Sequence, residues 1–192
     1  MNPTRRPRAD ARRNYERLLA EADSVFHEHG TDASLERVAR QAGVAIGTLY
    51  GHFPNRRALV AALLRERHET LFDLGARLTA GVPPADALDV WVRAVVVHTA
   101  AYRGLAALLA DGLGDEASEL HAACRRMTSI SESLIAGARA AGAIRPDVAG
   151  EDVFALMNAA AWVHVEISPA QSDRLVTFTL DGLAAHASPA SG

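Results

Sequence analysis

Lysine is absent from this sequence of 192 residues, and cysteine occurs once, as Cys124. A single thiol forms no internal disulfide and has no partner for a structural zinc site. No run of eighteen apolar residues occurs, so no membrane-spanning helix is expected. The opening residues Met1–Arg6 lead into an amphipathic segment without the apolar core or cleavage site of a secretory signal, and a cytoplasmic protein is expected. Alternation of apolar and polar residues is nowhere long enough to propose a strand. Metal-ligand spacings are missing too: no HExxH or Cys-His cluster occurs, and His27 and His29, two apart on a helix, point in different directions. Neither a metal nor a cofactor is expected. An enzyme built in a helical bundle around His98, His121 or the acids is the alternative, but no nucleophile-base pair or phosphate loop supports it.

What is present is a helical pattern in a chain with 49% hydrophobic residues, enough for a real core. The fold class expected is all-α with about nine helices. Asp10 caps a first helix that Gly30 stops, Ser34 caps a short second helix through Gln41, and Gly43 turns the chain into a third over about residues 45–51. Pro54 and Asn55 open a long fourth helix carrying Leu59, Leu63, Leu71, Leu74 and Leu78, ending near Gly81. Further helices are expected at about 84–101, 102–111, 115–141, 149–166 and 171–186. The domain organisation expected is a first segment over residues 1–54, a larger helical segment over 55–186, and a disordered tail over 187–192.

Charge is segregated along this pattern. Residues 1–67 hold twelve Arg against eight acids, a balance of +4, whereas residues 68–192 hold eight Arg against fifteen acids, a balance of −7. Such a chain suits contact with a polyanion at one end only. Arg5, Arg6, Arg8, Arg12 and Arg13 are candidates for an arm that follows phosphates or enters a minor groove.

The stretch SLERVARQAGVAIGTLYGHFPNRRAL, from Ser34 to Leu59, holds what a helix-turn-helix needs. Leu35, Val38, Ala42, Val44 and Leu49 supply apolar positions where two short helices cross, Ala39 is small where their backbones approach, and Gly43 tolerates positive φ in the turn. Its second half, GVAIGTLYGHFPNRRAL, resembles the signature of the TetR family of transcriptional regulators: a Gly-Val turn, a Gly-Thr-Leu-Tyr core, an aromatic end and a basic residue leading a long helix. The stretch from about Ala85 to Val163 further resembles the ligand-binding region of an actinobacterial TetR subgroup. The resemblance implies a repressor that binds a palindromic double-stranded operator as a homodimer and is released by a small-molecule effector. A protein-binding helical adaptor would leave the Gly-Thr-Leu-Tyr element unexplained.

In that reading the third helix enters the major groove while the flanking residues hold phosphates. Thr48, Tyr50 and His52 present polar atoms, and Gly47 lets the helix lie close to the backbone. Arg56, where the family usually has Lys, grips a phosphate at the start of the fourth helix, and Ser34 caps its helix beside another. Ala45 stands where the family often has a capping Ser; with Ile46 it offers only apolar contact to thymine methyls.

Two readers must sit roughly 34–36 Å apart to meet successive major grooves, so part of the body must dimerise. The last two helices carry apolar residues on more than one face, and Val153, Phe154, Met157, Ala160, Ala161, Leu175, Phe178, Thr179 and Leu183 are the candidates. Family resemblance points to the same pair as a four-helix bundle across a two-fold axis. Polar or polarizable residues interleaved in apolar helices suggest an effector cavity. Trp91, His98 and Tyr102 fall at steps of seven and four on one helix face, His121, Cys124, Met127 and Thr128 group on another, and Phe72, Asn158 and Trp162 are candidates for its walls.

Overall fold

The computed structural model describes residues 5–111 and 118–185. Among these, nine helices follow one another: α1 (Arg5–His29), α2 (Leu35–Gln41), α3 (Ile46–His52), α4 (Arg56–Gly81), α5 (Pro84–Thr99), α6 (Leu105–Asp111), α7 (Glu119–Ala140), α8 (Gly150–Glu166) and α9 (Pro169–Leu183). The all-α expectation holds. The expected start of the seventh helix at residues 115–117 and the tail over 187–192 lie outside the described residues.

Two boundaries differ from the sequence reading for local reasons. Helix α1 starts at Arg5 rather than after Asp10, because Asp10 takes Arg13 as an ion-pair partner one turn on instead of capping. Arg12 likewise pairs with Glu16 at i+4. Arg12 and Arg13 of the expected arm thus lie exposed on the α1 surface, whereas the side chains of Arg5, Arg6 and Arg8 lie outside the described ones. Helix α5 stops at Thr99, and the turn that follows, with Gly104 at φ +80°, removes Tyr102 from the helix face it was expected to share with Trp91 and His98.

The helices gather into two compact units: the chain through Glu66 together with Tyr102–Ala122, and Arg67–Ala101 together with the chain from Ala123. In the first unit, Leu18, Ala22, Val25 and Phe26 of α1 are buried with Val38, Ala39, Leu49 and Phe53. Helix α1 packs on α2, and α2 on α3. Gly43, at φ +65°, makes the α2–α3 turn in a region that side-chain-bearing residues rarely adopt. Arg17 fastens α1 to that turn by donating from Nη2 to the Ala42 carbonyl. A second fastening is backbone to backbone, where Thr31 N donates to the Arg103 carbonyl at 2.8 Å.

The second unit is built around Trp91, whose side chain is fully buried and whose Nε1 donates to Ser131 Oγ at 2.8 Å. Gly75 lets α4 approach it. A Cβ there would stand 2.8 Å from Ile130 Cγ2 and 3.0 Å from Trp91 Cζ3, so any larger residue would push the helices apart. Helix α8 packs against α5 and α9. Buried Ser172 ties α9 to α8 by donating from Oγ to the Ala160 carbonyl at 2.7 Å. Arg93 of α5 adds bonds to Asp173 and to Thr177 Oγ1 of α9. No strand forms among the described residues, but one isolated antiparallel bridge, Ile144 with Ala184, holds the α7–α8 turn against the end of α9.

Candidate nucleic-acid interface

Helix α3 has seven residues and buries one of them, Leu49. The rest of its surface faces outward: Ala45 at the N-cap, Gly47, Tyr50 and Gly51 are exposed, while Ile46, Thr48 and His52 are partly exposed. Tyr50 is 46% exposed, so its ring does not serve the core. A Cβ on Gly47 or Gly51 would meet nothing within 4 Å. Packing within the chain therefore gives no reason for glycine at either position. Close approach of an external surface does. The six DNA-contact candidates from Ala45 to His52 thus share one short, weakly anchored element with its face in solvent.

The residues framing α3 are more committed to the protein than the sequence suggested. Ser34 precedes α2 in extended conformation, but its hydroxyl makes no capping bond and donates to Glu36 Oε2. That bond holds the Glu36 carboxyl below its usual range. Arg56 Nη1 donates to the carbonyls of Thr31 and Ala33, bracing the α1–α2 turn. Arg56 is thus first a brace of that turn, through one of the nitrogens of its five-donor fork. His52 sits edge-on to Tyr15 at 6.0 Å and 6.2 Å from Phe53, and the Tyr15 and Phe53 rings are 5.1 Å apart, so the three rings form one cluster. Asn55 Oδ1 accepts from Ala58 N at 2.9 Å and caps α4. Sequence reasoning missed Arg17 altogether, since its spacing from Ala42 carries no local signal.

The effector candidates scatter. Phe72, Trp91, His98, Cys124 and Met127 are buried in the second unit. Trp91 is a core residue. His98 stands with its ring 4.9 Å from that of His68, which stacks on Phe72 at 5.9 Å, and the Arg126 guanidinium lies 4.2 Å over Phe72. Burial pushes the Cys124 thiol up, away from thiolate reactivity. Thr128 is exposed, and Asn158 Nδ2 donates to Phe154 O on its own helix. Trp162 is 58% exposed. Tyr102 and His121 belong to the first unit, where Tyr102 donates to Asp23 Oδ1 at 2.5 Å and packs its ring on His27. The expected alignment of Tyr102 with Trp91 and His98 is thereby corrected, as is the placing of Trp162 in a wall. The sequence reading missed His68, although its i+4 spacing from Leu64 and to Phe72 set it on the apolar stripe of α4.

His98 Nε2 is buried without a hydrogen-bond partner. Desolvation, then the charges of His68 and Arg67, push its imidazole down to about 3. The unfolded chain titrates near 6.5, so between that value and about 3 the unfolded state binds a proton that the folded state refuses. Stability is complete above pH 6.5 and falls as pH drops through this window. Urea titrations should show about 2 kcal/mol less stability at pH 5 than at pH 7.5, with most of that difference gone in His98→Phe. An identical pH profile in the variant would assign the loss to other groups.

The dimer candidates divide by burial. Val153, Met157, Ala160 and Ala161 are buried within the chain. They pack the α5–α8–α9 core and leave the candidate outer face, a correction to the sequence reading. Phe154, Leu175 and Phe178 remain exposed, Phe178 to 67%, with Thr179 and Leu183 partly so. Trp162, Leu156 and Ile167 join that exposed apolar set. So many large apolar side chains on two neighbouring helices mark an unpartnered surface.

Residues 18–63 match the family described as bacterial regulatory proteins, tetR family, and residues 83–185 match the C-terminal domain of SbtR-like transcriptional regulators. Among solved structures, the TetR transcriptional regulator SCO0520 from Streptomyces coelicolor is 37% identical, with 90% of this chain and 99% of that one covered at a TM-score of 0.60. A TetR transcription regulatory protein from Mycobacterium vanbaalenii is 33% identical over 92% of this chain and 98% of its own, at a TM-score of 0.51. The regulator TtgW from Pseudomonas putida is 35% identical over 68 residues, which are 35% of this chain and 51% of that protein. The chain thus spans about half the length of that relative.

Proposed function

Because the chain belongs to the TetR family and is a DNA-binding transcriptional regulator, we propose that it is a repressor, released from a palindromic operator when its second unit takes up a small effector. The observation that carries the reading is the outward face of α3, a helix with Leu49 as its one buried residue and two glycines with no internal steric reason. Gly47 and Gly51 let the helix lie against a sugar-phosphate backbone, Thr48, Tyr50 and His52 reach phosphate oxygens or base edges, and Ala45 and Ile46 meet thymine methyls. The outer nitrogens of Arg56 hold a phosphate while its inner one braces the turn. Ser34 lies beside a second phosphate through backbone amides, since its hydroxyl is taken by Glu36.

Residues 1–54 form the reader in this account, and 55–186 the body that binds effector and pairs two chains. Phe154, Trp162, Leu175 and Phe178 supply the apolar surface of a symmetric pair. The effector lies near His98, whose buried nitrogen lacks a partner, with Phe72, Cys124 and Met127 about it. It acts by binding the released state more tightly than the DNA-bound one. A target on the chromosome places the protein in the cytoplasm.

Tyr50→Phe tests the reader without disturbing packing. The ring is kept and an exposed hydroxyl is lost, so the melting temperature should not move. Affinity for the selected operator should fall about tenfold, the worth of one hydrogen bond to a charged phosphate, with binding to unrelated duplex falling by a similar factor. Unchanged operator affinity would remove Tyr50 from the contact surface.

A further inference from the structure

The first unit takes in a segment from far along the chain, Tyr102–Ala122, whose leading turn, Tyr102–Gly104, is seated on the end of α1. Tyr102 is buried, with its ring 4.9 Å from that of His27 and 6.1 Å from that of Phe26, both near edge-on. Its hydroxyl donates to Asp23 Oδ1 at 2.5 Å. One residue on, the Arg103 carbonyl accepts from Thr31 N at 2.8 Å. Each side of this contact has a glycine at positive φ where the other side leaves no room. A Cβ on Gly30 would stand 3.0 Å from Arg103 O, and one on Gly104 would stand 2.8 Å from Thr31 Oγ1.

Thr31 is therefore held from two directions. The turn takes its amide, and its carbonyl accepts from Arg56 Nη1, which also donates to the Ala33 carbonyl at 2.5 Å. Ser34, the next residue, leads into α2. Two of the DNA-contact candidates, Arg56 and Ser34, thus depend for their placement on a short stretch of backbone that the Tyr102–Gly104 turn fixes.

We propose that Tyr102 is a positioning residue for DNA recognition: through Asp23 it seats the turn on Thr31 and so sets Arg56 and Ser34 in register with α3. The inference rests on the reading that α3 and its flanks bind DNA. It adds to that reader a residue outside 1–54, which is buried and itself touches no DNA. A hydrogen bond to a carboxylate is among the stronger side-chain bonds, and this one joins residues 79 positions apart, where no local signal sets their geometry. Phosphate contacts fix the orientation of a reader on its site. A brace that drifts therefore costs operator binding, while attraction to unrelated duplex, which needs no fixed register, persists.

The test is a titration of the full chain with its selected operator and with unrelated duplex, well below the melting temperature of each variant. Tyr102→Phe and Asp23→Ala should each weaken operator binding at least fivefold. The double variant should lose no more than about twofold beyond the weaker single, since both remove one bond. Asp23→Asn drops the charge yet keeps an accepting oxygen, and should bind operator within about twofold of the native chain. Binding to unrelated duplex should change less than twofold throughout, and in the free chain the Thr31 amide should exchange at least fivefold faster in Tyr102→Phe. Asp23 lies at an exposed position, so Asp23→Ala carries the test if Tyr102→Phe fails to fold. Folded single variants that bind operator like the native chain, losses that add in the double variant, or equal losses on both duplexes would each overturn the proposal. A native chain that prefers no sequence would overturn the DNA reading itself, and this inference with it, before any variant is made.

Discussion

Leu49→Ala is expected to lower global stability by about 2–5 kcal/mol and to reduce operator affinity by more than a hundredfold. The side chain is fully exposure-free and is the one buried residue of α3. Removing three side-chain carbons from such a site loses transfer free energy and leaves a cavity. A longer helix would share that loss among several anchors. Helix α3 has seven residues, no side-chain N-cap at Ala45 and no other buried residue, so it is expected to detach from α2 before the rest of the unit unfolds. Hydrogen exchange should therefore accelerate at the α3 amides first, while the second unit, with its own core about Trp91, keeps its protection. Unaltered operator binding in a destabilised Leu49→Ala would mean that α3 does not read DNA.

Phe178→Asp is expected to turn a dimer into monomers at micromolar concentration, with loss of operator binding and little change in the stability of the isolated chain. The ring is 67% exposed in one chain, so its replacement leaves no internal cavity. On a symmetric interface the substitution appears twice and places two carboxylates near the two-fold axis. A buried charge without a partner costs about 3–5 kcal/mol. Two of them raise the dissociation constant by at least a thousandfold, at 1.4 kcal/mol per tenfold. Sedimentation should give the monomer mass, and a single half-site should be bound as weakly as nonspecific DNA. A dimer that survives Phe178→Asp would place the interface away from the Phe154, Trp162 and Phe178 face.

Helical periodicity and stop signals made most of this fold legible. Gly30, Gly43, Gly81 and the Pro83–Pro84 pair each end or turn an element where they were expected to, because their backbone restrictions act locally. The reader was legible for the same reason: Leu49 and Gly43 have roles set by neighbours a few residues away. Contacts that close across the chain were not. Arg17 with Ala42, Arg56 with Thr31 and Ala33, and Tyr102 with Asp23 join residues at least 23 positions apart, and each redirects a polar group that looked available. Apolar character alone could not divide α8 either. Met157 and Phe154 read alike in sequence, yet one faces α5 and α9 while the other faces outward. The same ambiguity sent Trp162 to a pocket wall, when its place is the exposed apolar surface.

The central claim is that two copies of this reader, set by the α8–α9 face, grip one duplex through α3. Selection of bound fragments from genomic DNA with the purified chain, followed by a salt titration on the recovered site, tests it most directly. The account predicts a two-fold symmetric site whose half-sites are centred one helical turn apart or a multiple of it, held by two chains, with affinity falling steeply as salt rises. Recovery of no preferred sequence, or of an asymmetric site saturated by one chain, would contradict it.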